Sequence, residues 1–175
     1  MSAKPAPDPT IREAGAGDAA RLSLVANATF LETFAGMIDG DALVAHCEIR
    51  HAPDYIAGLL DGGVRGWLAE LDGAPVGYAL LTEPELDAAA PGDIELKKIY
   101  VLSRFYGSGL ARRLFDAALA ASEGCKRMLL GVKVDNLRAV AFYHKQGFKQ
   151  IGTRQFEVGG KYYDDIVFAR AIHRN

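Results

Sequence analysis

Apolar positions along this chain switch between a spacing of four and a spacing of two, and each switch marks an element boundary. Residues 10–14 read as a short strand, and Asp18 then stands as an N-cap before a helix with Leu22, Ala26 and Phe30 at i, i+4 and i+8. Residues 39–50 and 53–60 read as two shorter helices; the second begins with Pro53 in its first turn and stops at Asp61-Gly62-Gly63. From Arg65 the period changes to two. Residues 67–71 and 76–82 are β-rich runs joined by an Asp72-Gly73 turn, the signature of a tight hairpin. After a loop rich in Pro, Ala and acids, residues 93–102 read as a central strand ending in Ile99-Tyr100-Val101-Leu102.

Beyond it, Leu110, Leu114 and Ala118 with Ala111, Phe115 and Leu119 form two i, i+4 rows on one face of a helix predicted to end near Gly124. Residues 127–134 read as a buried strand, residues 136–146 as a helix closed by Gly147, and residues 148–158 and 162–171 as two strands around Gly159-Gly160. This order implies an α/β domain with a mixed sheet, in which residues 93–134 form a parallel strand-helix-strand crossover and the terminal hairpin is antiparallel.

Composition narrows the class. The 175 residues fit one domain, spanning 1–175 with 1–9 read as a flexible tail, and 50% hydrophobic content allows an independent core. Twenty Lys plus Arg against 22 Asp plus Glu give a formal charge of −2, which supplies no basic footprint for nucleic acid. Cys47 and Cys125 form neither a disulfide framework nor a zinc spacing, so no metal is expected. No secretory leader and no membrane-length apolar run is present, and a cytoplasmic protein without a membrane partner is the expectation.

Candidate chemistry gathers where the central strand meets its helix. Arg104-Phe-Tyr-Gly-Ser-Gly-Leu-Ala-Arg112 places two glycines before a helix start, where backbone N–H groups turn inward and the dipole is positive. Such a place binds phosphate. Arg104, Arg112 and Arg113 add charged donors and Ser108 a hydroxyl. A dinucleotide fold would want a third glycine where Arg112 stands, and no Gly-Lys-Ser or Gly-Lys-Thr of a P-loop occurs. The loop by itself is equally compatible with a plain strand-to-helix turn.

A second motif resolves the choice through resemblance. Arg104, Gly107 and Gly109 fill the fixed positions of the acetyl-CoA loop of the GNAT N-acetyltransferases. Asn136-x-x-Ala139-x-x-Phe142-Tyr143-x-x-x-Gly147-Phe148 is similar to that superfamily's second motif. The likeness covers residue 66 to about 171, whereas the first 60 residues match only in having a strand and helices. Within the superfamily, Thr29-Phe-x-Glu32-Thr33-Phe34, Glu95-Leu-x-Lys98-Ile-Tyr-Val and residues 156–165 resemble the bacterial spermidine/spermine N-acetyltransferase branch. Lys97 stands where that branch often carries an acid.

The resemblance implies a GNAT fold, mostly antiparallel with the parallel crossover at the CoA site and helices on both faces. It implies acetyl-CoA as cosubstrate, held by Ile99, Tyr100, Val101, Arg104, Tyr106, Gly107, Ser108, Gly109, Leu110, Ala111, Arg112, Asn136, Ala139, Phe142, Tyr143 and Lys145. The pantetheine arm would pair with the strand edge at Ile99–Val101 as an added strand, and a backbone N–H of that strand, commonly bulged in the superfamily, would face the acetyl oxygen. Asn136 also suits a helix N-cap, and Tyr143 also suits a core ring. A phenol with an ordinary pKa near 10 can give a proton to the leaving thiolate, the role the resemblance assigns to Tyr143.

An alkylammonium acceptor must lose a proton before it attacks, and Glu95 is the candidate base. Phe30, Glu32, Phe34 and Tyr55 are the candidate acceptor contacts. No histidine has a partner recognisable from sequence, and Cys125 lacks a neighbouring His, which favours direct transfer in a ternary complex over an acetyl-cysteine route. The expected activity is acetylation of a primary amine on a small molecule, with polyamines as one class. A protein or peptide N-terminal acetyltransferase and a non-catalytic acyl-CoA-binding module are the alternatives. A homodimer is an open possibility for assembly.

Overall fold

The computed structural model describes residues 7–173. Among these residues seven strands and five α-helices follow the order read from the pattern: β1 (Thr10–Glu13), α1 (Ala19–Phe34), α2 (Gly40–Arg50), α3 (Pro53–Asp61), β2 (Arg65–Leu71), β3 (Ala74–Thr82), β4 (Asp93–Val101), α4 (Leu110–Ala120), β5 (Arg127–Lys133), α5 (Leu137–Lys145), β6 (Lys149–Val158) and β7 (Lys161–Ala171). The strands form one sheet in the order β1-β2-β3-β4-β5-β7-β6. Among the described residues the β4–β5 pair is parallel and the other pairs are antiparallel. No helix among them is long and apolar enough to cross a membrane.

Each local signal has a visible physical outcome. Asp72 and Gly73 take φ of 49° and 81°, the left-handed pair that a two-residue hairpin turn demands. Asp18 departs from its expected role. Its carboxylate does not cap α1 but accepts from the Gly15 amide at 2.7 Å and from the Arg12 guanidinium at 2.7 and 2.8 Å, tying β1 to the helix entry. Helix α4 stops at Ala120, earlier than Gly124, where the chain breaks into turns and the Ser122 hydroxyl folds back onto the Ala118 carbonyl at 2.8 Å.

Helices cover both faces of the sheet. The apolar rows of α4 put Leu110, Leu114, Phe115 and Ala118 against Trp67, Leu81, Leu96, Met128 and Phe168. Burying each of the larger side chains contributes about 1.5–3 kcal/mol. On the other face, Leu22, Val25 and Ala26 of α1 and Ile56 of α3 pack on Leu68, Tyr78 and Leu80. The β6–β7 tip folds over α2, and Gly159 makes this possible: a Cβ there would lie 2.2 Å from the Ala42 carbonyl oxygen.

Two irregularities in β4 open the sheet near its middle. Leu80 pairs with Lys98 and Leu81 with Leu96, so Lys97 is an extra residue in a bulge. Strands β4 and β5 pair only from Asp93–Glu95 to Arg127–Leu129. Past that point β5 stays on β7 and β4 stays on β3, so the sheet splits into two arms.

Candidate active site

The split exposes the β5-facing edge of β4 beside the glycine loop. The Leu102 amide, bonded to the Val76 carbonyl at 2.9 Å, fixes the end of the strand, and residues Ser103–Phe105 form a single 3-10 turn. Gly107 and Gly109 then take φ of 76° and 85°, left-handed values that side chains rarely adopt. These turns aim the chain into α4 and leave the amides of Gly107, Gly109, Ala111 and Arg112 without an acceptor among the described residues. Unpaired N–H groups at the positive end of a helix are the physical basis of an anion site. The Ser108 hydroxyl is occupied within the loop, donating to the Phe105 carbonyl at 2.6 Å and accepting from the Leu110 amide at 3.3 Å.

A cleft of about 580 Å³ runs from this loop between β4 and α5. Ile99, Tyr100 and Val101 form one wall, Ala139, Phe142 and Tyr143 the other, and Arg112, Arg138 and Lys145 give it positive charge. Arg138 stacks over the Tyr106 ring at 3.2 Å from its centroid. At the inner end Tyr143 is 8% exposed, wedged among Phe142, Phe148 and Phe168. Burial pushes its phenol well above the ordinary range, with Tyr100 acting in the same sense and Arg138 against it, so the hydroxyl stays protonated at any physiological pH.

A second cavity, about 120 Å³, opens on the other side of the split and meets the cleft at Ile99, Tyr100 and Tyr143, which line both. Phe30 and Phe34 of α1 form its floor, and Glu95, Lys98, Arg154 and Asp165 bring charge into it. Glu95 is 3% exposed and accepts the Glu85 amide at 2.8 Å. Asp165, 5% exposed, is bonded to Arg154 Nε at 3.1 Å; burial raises its pKa and Arg154 holds it back. Half-buried Lys98 is drawn down to about 8, chiefly by burial and then by Lys97 and Arg154.

These residues belong to a recognisable lineage. Residues 38–148 match the model of the acetyltransferase (GNAT) family. The chain belongs to the GNAT family. An uncharacterized N-acetyltransferase of Mycobacterium bovis is 34% identical over 160 residues, spanning 78% of this chain and 99% of that protein. A peptidyl-lysine N-acetyltransferase of Salmonella typhimurium is 32% identical over 98 residues, 55% of this chain and 59% of that protein. The fold is shared with the PaiA N-acetyltransferase of Thermoplasma acidophilum solved with coenzyme A, at a TM-score of 0.76 and 19% identity over 93% of this chain and 98% of that one. The protein is thus a GNAT acetyltransferase with an α/β GNAT fold.

Within this GNAT frame most residues singled out from sequence converge. Ile99, Tyr100, Val101, Tyr106, Gly107, Gly109, Ala111, Arg112, Ala139, Phe142, Tyr143 and Lys145 line the cleft. Arg104 does not; it is exposed on the turn, over the Phe105 ring. Leu110 is buried in the core beneath α4. Asn136 caps α5, accepting from the Ala139 amide at 3.4 Å, and lines the second cavity. Of the acceptor candidates, Phe30 and Phe34 reach that cavity. The Glu32 carboxylate instead holds the Ser103 amide and hydroxyl at 2.8 and 2.9 Å, pinning α1 to the turn after β4. Tyr55 lies apart from Glu95, beside Arg50.

The ammonium of Lys97, the extra residue of the bulge, pairs with Glu85 at 2.6 Å. Sequence reading gave no site role to Arg138, Lys98, Arg154 or Asp165. Arg138 had a signal, standing one turn before Phe142 on the same helix face. Arg154 and Asp165 had one too: a hairpin centred on Gly159-Gly160 pairs them directly.

Proposed function

We propose that this GNAT enzyme moves the acetyl group of acetyl-CoA to a primary amine of a small molecule by direct attack in a ternary complex. One observation carries the reading: a phosphate-ready cleft and a charged inner cavity meet at Tyr143 through the split between β4 and β5. The free amides of the glycine loop with Arg112 suit the pyrophosphate, and the unpaired edge at Ile99–Val101 suits the pantetheine amides. A backbone N–H of β4 next to the bulge would stabilise the acetyl oxygen as it gains charge.

In this reading Glu95 takes a proton from the acceptor ammonium, directly or through a water. The amine then attacks the acetyl carbon, the C–N bond forms, the nitrogen sheds its second proton to solvent and the C–S bond breaks. Tyr143 gives its proton to the departing sulfur and regains one from solvent. Burial keeps the phenol protonated and sets a carboxylate on the acceptor side, which supports these opposite roles.

Charge favours a monoamine over a polyamine. Lys97 pairs with Glu85, Lys133 with Asp135 and Arg154 with Asp165, which leaves Lys98 opposite Glu95 in the inner cavity, so one ammonium can meet Glu95 while a second would meet carboxylates already paired. A lysine side chain of a protein is the second reading, favoured by the relative of Salmonella typhimurium named for that activity. Thiol release from acetyl-CoA, measured against monoamines, polyamines, amino acids, aminoglycosides and lysine peptides, tests both. Release with small monoamines is expected; release with none of the panel, while acetyl-CoA binds, refutes enzymatic transfer to these amines.

A further inference from the structure

We infer that the acceptor amine carries an apolar side group about the size of an aromatic ring, and that a separate cavity behind Lys98 and Phe156 receives it. This rests on the assignment of the inner cavity to the acceptor.

The cavity holds about 310 Å³ between α1, α3 and the sheet, and Leu22, Ala26, Ile56, Leu59 and Leu80 give it an aliphatic wall. An apolar void near 150 Å³ already accommodates benzene, so this one has room for a ring with its linker. Lys98 and Phe156, with Glu85 and Lys97, line both this cavity and the inner one, so the two adjoin. Lys98 and Phe156 form the boundary between the two, so an amine lying next to Glu95 would extend its body past Phe156 to reach the aliphatic wall.

The polar members do not spoil the apolar character. His46 and His51 are 6% and 3% exposed, with the Nε2 atom of each unpartnered. His51 Nδ1 meets Asn27 Oδ1 at 3.1 Å, and His46 stacks on Phe30. Burial, followed by the charge of Lys98, lowers His46 to about 4 and His51 to about 3, so both rings are neutral near pH 7. Arg50 is exposed and bonded to the Tyr55 hydroxyl, and Glu85 is exposed and paired with Lys97. A second ammonium would find only Glu157, half-buried and already accepting the Gly160 amide, whereas an aryl or alkyl group would find a matching wall.

The test uses the full chain with acetyl-CoA and reads kcat/KM by thiol release for methylamine, butylamine, hexylamine, 2-phenylethylamine and spermidine. Efficiency should rise about fourfold per buried methylene, with 2-phenylethylamine well above methylamine and spermidine below butylamine. Ala26→Phe, which fills the cavity from α1, should cut the phenylethylamine-to-methylamine ratio by about 10-fold or more. Leu59→Phe fills it from α3 and serves if the first variant does not melt cooperatively.

A size series that is flat while methylamine is turned over overturns the inference and leaves acetyl transfer standing. No turnover of any amine by a protein that binds acetyl-CoA overturns the acetyl-transfer reading itself. If the filling variants change the preference between acetyl-CoA and hexanoyl-CoA but not that among amines, the cavity holds an acyl chain and the inference fails.

Discussion

In the proposed mechanism Tyr143 and Glu95 take opposite proton tasks within one buried environment. The Tyr143 ring is packed by three phenylalanines and its phenol is held protonated by burial, so Tyr143→Phe keeps the packing and removes only the donor. We expect kcat to fall about 10- to 1000-fold with unchanged acetyl-CoA affinity and melting temperature. Equal turnover at saturating substrates would remove Tyr143 from the mechanism. Glu95→Gln keeps the acceptor for the Glu85 amide and loses the base. Its kcat/KM should be depressed most at neutral pH and recover as pH rises and the amine deprotonates by itself. An electrostatic Glu95 would instead raise KM for cationic acceptors at every pH, and a profile superimposable on wild type would exclude both roles.

At the scale of elements, the loop before α4 and the arm of β5 control the two sides of the split. Gly109 has open space where a Cβ would be but a φ of 85°, so Gly109→Val is opposed by backbone strain rather than by a clash. Relaxing that strain, about 1–2 kcal/mol, would turn the loop amides away. Acetyl-CoA affinity measured by calorimetry should fall at least about 10-fold, and unchanged binding by a folded variant would refute the loop assignment. On β5, a Cβ at Gly131 would lie 2.4 Å from an Arg154 nitrogen, the far end of a flexible side chain. Gly131→Ala should therefore fold, shift Arg154 off Asp165, and change acceptor KM while sparing acetyl-CoA binding. An unaltered acceptor KM would show that Arg154 does not shape the acceptor side.

For the molecule as a whole, the neutral histidines make folding sensitive to acid. Their folded pKa values, about 4 for His46 and about 3 for His51, lie below the unfolded value near 6.5, so the unfolded chain binds more protons. Stability is full above pH 6.5 and is lost as pH falls toward 4, by up to about 1.4 kcal/mol per pH unit for each ring. Asp165, raised by burial, opposes this near the lower end. Thermal melts from pH 7 to 4.5 should show the decline, and His46→Phe should remove about half of its slope. A melting temperature that is constant over this range would contradict it.

How much of this was legible depended on the range of the interactions. The order of elements, the hairpin turn at Asp72-Gly73, the parallel crossover and the glycine loop were readable because each is written in neighbouring residues through periodicity, left-handed glycines and helix starts. The two GNAT motifs likewise pointed to the cleft that Tyr143 closes. Other outcomes needed the folded chain. Asp18 was taken by Arg12, Lys97 by Glu85, and Glu32 by Ser103, because a charged side chain pairs with whatever the tertiary structure brings nearest. The split between β4 and β5, the neutral state of His46 and His51, and the cavity behind Phe156 also arose only in three dimensions. Local sequence determined the elements and the glycine loop with its free amides; only packing between distant segments decided which buried groups would face one another, and burial is what sets their charge.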